Sequence, residues 1–389
     1  MNATEALRLQ MDKIQRVALV IGVVAGLLSL LGAFLNRDQF LYAYLVAFLF
    51  WLGIALGSLA ILMLYHLTGG GWGLIIRRFL ESGARTIPLM ALFFLPLLLN
   101  VHSLYTWASP SAVATDALLQ HKKPYLNVSF FVIRTVGYFA IWLIWGYFLN
   151  RWSQEQDRTG GPGVLRRLRA LSAPGLVLYG LTITFASVDW VMSLDPHWFS
   201  TAYGMIFVVG QVLTALAFVI GAAMLVADRE PLFTVISKSR LVDLGNLMLA
   251  FVMLWAYLAF SQFLIIWAGN LPEEISWYRM RFHGAWIWLA LFLLLFHFAL
   301  PFLLLLLRDI KQKARTLASV AAFMIVLRLI DLFWIIEPAR RPDLQIHWLD
   351  FAAPIGMGGI WIAVFIWQLK GRPLLPLNDP QLQVVMKHE

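Results

Sequence analysis

Asp189-Trp-Val-Met-Ser-Leu-Asp195-Pro196 and Asp331-Leu-Phe-Trp-Ile-Ile-Glu337-Pro338 share one outline: an acid inside an apolar stretch, then a second acid and a proline about two turns on. A carboxylate at the bilayer centre costs roughly 2.5–3.5 kcal/mol on insertion scales, so acids kept there usually face a protein interior and handle ions, protons or polar ligands. The outline predicts a duplicated fold with a polar site in each copy.

Around these two stretches lie ten apolar runs, near 17–35, 43–65, 86–107, 128–149, 173–194, 201–226, 242–268, 283–307, 315–336 and 349–369. Each approaches the ~20 residues a helix needs to cross the hydrocarbon core. With 61% hydrophobic and 13% charged residues among 389 and a mean hydropathy of +0.76, most of the chain is excluded from the interior of a soluble domain. The fold class expected is an all-α integral membrane protein with ten transmembrane helices. The first run is too long for a signal h-region and no small-x-small cleavage site follows it, so it reads as a span.

Orientation follows from the basic residues. The N-terminus, the even-numbered loops and the C-terminus carry 21 Lys and Arg, the odd-numbered loops 7, and Arg134 and Arg328 lie inside spans. Positive residues stay on the cytoplasmic side, which puts both termini there. The formal charge of +9 is thus a matter of topology, and a nucleic-acid partner is not indicated.

The matched endings of the fifth and ninth runs suggest four-helix repeats in parallel about an axis along the membrane normal. Weaker echoes agree: Leu89-Met90 with Leu247-Met248, Trp107-Ala108 with Trp267-Ala268, and Ile141-Trp-Leu143 with Ile287-Trp-Leu289. The division expected is a cytoplasmic lead-in at 1–16, the first span and loop at 17–42, one four-helix bundle at 43–200, a second at 201–348, the tenth span at 349–370 and a cytoplasmic tail at 371–389. The 66–85 loop, with Leu74-Ile-Ile-Arg-Arg-Phe-Leu80, and the stretch Val164-Leu-Arg-Arg-Leu-Arg-Ala-Leu171 each read as a helix in the headgroup layer.

Assigned to depths, the polar residues cluster toward the outer side: Asp189, Arg134, Asn100, His102, Gln262, Arg328 and Asp331. The cytoplasmic half reads as drier, with Asp243 and Asn246 at its edge and His297 and Gln211 near the centre. Arg328 and Asp331, three residues apart, share a helix face and can neutralise each other, either as a packing device or as part of a proton path. Asp189 has Ala186 in the corresponding place, so its counter-ion is expected to be Arg134 on the fourth span. Asp195 and Glu337, about 9 Å further out, read as interfacial acids opening a turn with the proline that follows, with a proton-collecting role as the alternative. His197, in the outer loop Asp195-Pro-His-Trp-Phe-Ser-Thr201, would offer a quinone headgroup a donor beside aromatic walls, although interfacial His and Trp are also ordinary belt residues.

Cys is absent, which excludes cysteine-ligated iron-sulfur clusters, covalently attached haem and disulfides. Only His102 and His297 lie well within the expected spans, at different depths, which argues against a haem held between facing helices. Phosphate loops, zinc motifs and nucleophile triads are missing, so phosphoryl transfer and hydrolysis find no support.

Three segments carry a family likeness: Asp189 to Thr201, Tyr125-Leu-Asn-Val-Ser-Phe-Phe-Val-Ile-Arg134 before it and Tyr278-Arg-Met-Arg-Phe-His-Gly284 after it. The chain resembles the NrfD-like (polysulfide reductase type) membrane subunits, and within them the ten-span subunits of bacterial alternative complex III, a quinol to cytochrome c or copper-protein oxidoreductase. It is most similar to the second, F-type, of the two such subunits in that complex. The resemblance implies a bacterial inner-membrane location and a sister NrfD-like subunit, an iron-sulfur subunit and multihaem cytochrome subunits as partners. It also implies quinol oxidation coupled to proton movement, with haem and iron-sulfur clusters in the partners and the quinol site in the sister subunit. On that reading this chain is a non-redox subunit with no cofactor of its own. Its proton-pathway candidates are Asp189, Arg134, Arg328, Asp331, His102, His297 and Asp243, and its outer-surface candidates Asp195, His197 and Glu337. The alternatives are a structural scaffold and a stand-alone secondary transporter; against the latter, Pro88 and Pro96 in the third span have no counterpart in the seventh.

Overall fold

The computed structural model describes residues 3–379 and residue 382; the remaining residues of the lead-in and tail lie outside that range. Among the described residues every regular element is a helix. Ten helices are long and apolar enough to cross a membrane: span 1 Leu7–Leu35, span 2 Arg37–Thr68, span 3 Gly71–Leu99, span 4 Val128–Thr159, span 5 Gly163–Leu194, span 6 Tyr203–Met224, span 7 Lys238–Gly269, span 8 Trp286–Leu306, span 9 Ala314–Ala339 and span 10 Leu349–Lys370. Lys370 at the end of span 10 pairs with Asp12 in the first turns of span 1, so these two helix ends share one face, called here the terminal face.

Local chemistry sets many of the boundaries. Asn36, Asn127 and Ser237 cap spans 2, 4 and 7, their side-chain oxygens accepting from the backbone N–H of Gln39, Phe130 and Arg240; each satisfies a donor that a helix start otherwise leaves orphaned. Span 4 closes on Gly160 and span 7 on Asn270, both in the left-handed conformation that ends helices by turning the last carbonyls back.

Spans 2 and 6 form the middle of the molecule and pack against each other. The apolar core of span 2 is 94% buried, against 28% for spans 4 and 7, so span 2 is shielded from lipid while the outer helices present a face to it. Span 2 also packs on spans 3, 5, 9 and 10, and span 6 on spans 5, 7 and 9. Besides a smaller contact with span 2, span 1 packs mainly on span 10. There the backbones approach through small residues: a Cβ added to Gly359 would lie 2.4 Å from the Ala18 carbonyl, and one added to Gly22 would lie 2.5 Å from the Ile360 amide. Close approach of this kind supplies the dispersion contact that holds helices together where both lipid and neighbour are apolar.

The structure departs from the sequence reading most at 66–85. Gly69 and Gly70, both at positive φ, turn the chain tightly after span 2. The helix Gly71–Ala84 then folds into the interior, its residues from Gly73 onward all buried. It continues as Ile87–Phe93 and Leu95–Leu99, with Pro88 and Pro96 each at the start of a segment. Span 3 is therefore a broken helix beginning one polar turn after span 2, where the sequence had suggested a headgroup-layer helix. The 164–171 stretch is likewise the start of a continuous helix, Pro162–Trp190. Span 8 carries a turn of π-helix at Leu294–Ala299.

The close crossing makes one test specific. Gly359→Leu would overpack the span 1 to span 10 contact and lower stability by about 1–3 kcal/mol. Gly137→Leu, at a position where an added Cβ meets nothing within 4 Å, would change it by less than about 0.5 kcal/mol. Thermal unfolding in one detergent compares the two.

Candidate functional site

Asp189 is completely buried near the end of span 5 away from the terminal face. Arg134 of span 4 meets it with two parallel hydrogen bonds, Nε to Oδ2 at 2.8 Å and Nη2 to Oδ1 at 2.9 Å, and Tyr138 Oη donates to Oδ2 at 2.7 Å. Arg134 and Tyr138 are one turn apart on the same helix, which is why one face of span 4 supplies both donors. The guanidinium donates its remaining Nη1 to the Tyr125 carbonyl at 3.0 Å and lies 3.9 Å from the Tyr125 ring centroid and 4.3 Å from that of Phe130. A forked arginine–carboxylate pair of this geometry is the strong form of the interaction. The depth assignment had joined these two residues, and they are in contact.

In the other half, Arg328 and Asp331 form an ion pair within one turn of span 9, both buried. Room for the guanidinium comes from span 6: a Cβ on Gly210 would lie 2.5 Å from Arg328 Cζ. His297 sits on the π-helical turn of span 8, fully buried, its ring centroid 4.2 Å from that of Trp255. Neither of its ring nitrogens has a protein hydrogen-bond partner. A widened turn of this kind is often found at functional positions. Next to Gly210, Gln211 accepts from Tyr179 Oη at 3.0 Å, tying span 6 to span 5 beneath the ion pair.

The sequence reading left the terminal side dry, yet a third and larger polar cluster lies there. Glu81 takes charge from three arginines: Arg77 at 3.0 Å, Arg78 at 2.7 Å and Arg372 at 2.9 Å. Ser153 of span 4 donates to it at 2.5 Å. Arg77 also reaches Asp379 at 2.5 Å and Gln156 at 2.7 Å, and Arg78 reaches Asp157 at 2.5 Å. Arg77, Arg78 and Glu81 are all at most 1% exposed. The signal for this cluster was present in Arg77-Arg78 with Glu81 one turn later, and in Ser153, Gln156 and Asp157 one face further along span 4. Read as a surface helix, the first group looked like ordinary headgroup chemistry.

Span 4 connects the two ends of the first half. Arg134, Tyr138, Trp142, Gly146, Asn150 and Ser153 recur at helical spacing, a stripe of about 28 Å at 1.5 Å per residue. Its middle is closed by aromatic rings: Trp142 and Trp190 meet edge to face at 6.0 Å, and Phe139 stacks on Trp190 at 6.0 Å. Trp142 Nε1 donates to Thr182 Oγ1 at 2.9 Å.

Other candidates stand apart from these clusters. Asp243 is exposed on the first turns of span 7, and Asn246 beside it accepts from Lys311 Nζ at 2.6 Å. His102 lies beyond the end of span 3, where the sequence had put it within the span; it is exposed, with Nδ1 2.8 Å from the Ala108 carbonyl. His197 is exposed and pairs with Asp116 at 2.7 Å. The Leu119 backbone N–H, followed by His197, holds the Asp116 carboxyl below its ordinary range. A cleft of about 400 Å³ near Asp189 is lined by Lys122, Tyr125, Met192, Trp198 and Phe199; Trp198 stacks on Trp277 with centroids 5.0 Å apart. Asp195 is half-buried. Glu337, expected at an outer turn where charge is cheap, is fully buried with Arg341 at 3.4 Å. Both acids do adjoin a 3-10 turn, at Met192–Leu194 and Glu337–Ala339. Among the described residues no group of three or more His, Cys, Asp or Glu is placed to hold a metal ion.

The chain matches no protein-family model, and no curated protein is significantly similar to it.

Glu81→Gln would take from Arg372 its acid partner and leave Arg77 and Arg78 with Asp379 and Asp157 as their acid partners. Stranding charge in this way costs about 3–5 kcal/mol, to be seen as loss of folded protein in detergent. Glu155→Gln, which removes an exposed pair with Arg167, would cost less than about 1 kcal/mol.

Proposed function

We propose that this chain is an NrfD-like membrane subunit of a quinol:electron-acceptor oxidoreductase of the alternative complex III type, and that it contributes a proton pathway coupled to quinol oxidation in partner subunits. The observation that carries the reading is the pair of buried carboxylates at matched places on spans 5 and 9, Asp189 and Asp331, each in contact with an arginine. A charged pair enclosed by apolar helices is costly to desolvate, and in membranes such groups usually mark ion or proton routes.

On this reading spans 2–5 and 6–9 are two four-helix bundles related by a pseudo-twofold axis between spans 2 and 6. In support, the packing of span 5 on span 6 has its counterpart in that of span 9 on span 2. The terminal face is the cytoplasmic one, in keeping with the excess of Lys and Arg there, and the membrane is the bacterial inner membrane. The route in the first half runs along span 4 between the Asp189 cluster and the Glu81 cluster, with the aromatic closure around Trp142 as its gate. In the second half it runs from Asp331 past His297, a buried imidazole neither of whose ring nitrogens has a protein partner. Sister, iron-sulfur and cytochrome subunits carry the redox centres, and quinol meets the sister subunit.

The experiment replaces Asp331 or Asp189 by Asn in the assembled complex reconstituted into vesicles. Proton uptake per electron falls while quinol oxidation in the presence of an uncoupler continues. Unchanged proton stoichiometry with intact assembly would mean that the two acids serve packing alone, as in a scaffold. Purification of the chain free of any haem or iron-sulfur subunit would instead favour a stand-alone transporter.

A further inference from the structure

A cleft of about 940 Å³ opens between spans 3 and 4 near the terminal face, with Arg85, Arg151, Arg158 and Arg372 on its walls. The one acid on the wall, Glu155, is already paired with Arg167 at 2.5 Å. The cleft is therefore strongly cationic at one end. Its other end is apolar and deep: Trp142, Leu143 and Ile87 line it, and Trp142 lies some 24 Å along span 4 from Arg158 at 1.5 Å per residue.

Two buried groups on the wall carry polar atoms with no protein partner. Asn150 is 6% exposed; its Nδ2 donates to the Gly146 carbonyl, while its Oδ1 accepts from nothing in the protein. Arg372 donates from Nη1 to Glu81 and from Nη2 to the Asn150 carbonyl, and its Nε is left over. A ligand that answers both supplies an anionic oxygen for the arginine and a hydroxyl for the amide.

We propose that this cleft is a binding site for an anionic phospholipid whose headgroup is a glycerol phosphodiester. Phosphate sits among the four guanidinium groups, which recognise phosphate oxygens through several donors at once. The glycerol hydroxyl donates to Asn150 Oδ1, and an acyl chain follows span 4 toward Trp142. Free phosphate matches only the charged end, whereas the whole cleft is amphipathic and placed where lipid headgroups lie. Basic pockets between spanning helices are a recurrent form of anionic lipid recognition. Bound lipid would close the wall behind Arg372, which in turn holds Glu81.

The test uses the full chain, within its complex if it purifies as one, after delipidation in detergent. Phosphatidylglycerol is titrated while thermal unfolding is followed, and native mass spectrometry counts retained lipid. Wild type is expected to gain stability with phosphatidylglycerol and to retain it in the spectrometer. The Arg151→Gln/Arg158→Gln double variant, which alters two exposed side chains, is expected to bind about tenfold more weakly. Lys313→Gln/Arg315→Gln removes the same charge elsewhere on the terminal face and is expected to behave as wild type. Equal binding by both double variants overturns the proposal, as does an equal response to phosphatidylcholine. Stabilisation by inorganic phosphate at the same concentration would reassign the site to a free anion and likewise overturn it.

Discussion

Three guanidinium groups converge on the single carboxylate of Glu81, and the terminal half of the molecule is organised around that convergence. An arginine in an apolar interior keeps its charge, so it must be met by an acid or by several good acceptors. Arg77, Arg78 and Arg372 come from span 3 and from the segment after span 10, and Ser153 joins them from span 4. Satisfying them at one point fixes where the broken third span enters, how close span 4 lies to it, and where the chain runs after its last crossing. Asp379 and Asp157 complete the neutralisation. The polar turn after span 2 can enter the interior only because the partners for its charges come from distant parts of the chain.

The same constraint operates differently in the two halves away from the terminal face. Asp189 borrows its arginine from span 4, and a tyrosine one turn further along that helix adds a second donor. Asp331 has its arginine on its own helix, and the neighbouring span 6 gives way with a glycine. One solution pins two helices together; the other pairs the charges within span 9, and span 6 makes room at Gly210 and sets the Phe207 ring 5.8 Å from the guanidinium. The two stretches thus share their acids and neutralise them differently. His297, on a widened turn and against Trp255, has no equivalent on span 4, where Trp142 and Tyr138 occupy the middle of the helix.

Much of this was legible in the residues. Ten apolar runs predict ten crossings because hydrocarbon thickness sets the length and every backbone polar group in lipid must be satisfied within its own helix. Pairing Arg134 with Asp189 followed from similar depth on consecutive spans. The terminal cluster was visible only as separate pieces: a stretch with two arginines and a glutamate looks the same whether it lies among headgroups or inside the protein, and local pattern does not say which partners arrive from residues 153, 157, 372 and 379. Glu337 was misjudged for a related reason, since its depth along the membrane normal says nothing about how deeply neighbouring helices cover it.

What the sequence determined by itself is the number of crossings and, outside the third span, the order of charges along them, because these depend on hydrophobic length and on chemistry within a turn or two. What only the tertiary structure decided is which charges are buried and by what they are met. That depends on side-by-side contacts between helices far apart in the chain: span 1 on span 10 through glycine, span 6 around Arg328 through Gly210, and the segment after span 10 reaching back to Glu81.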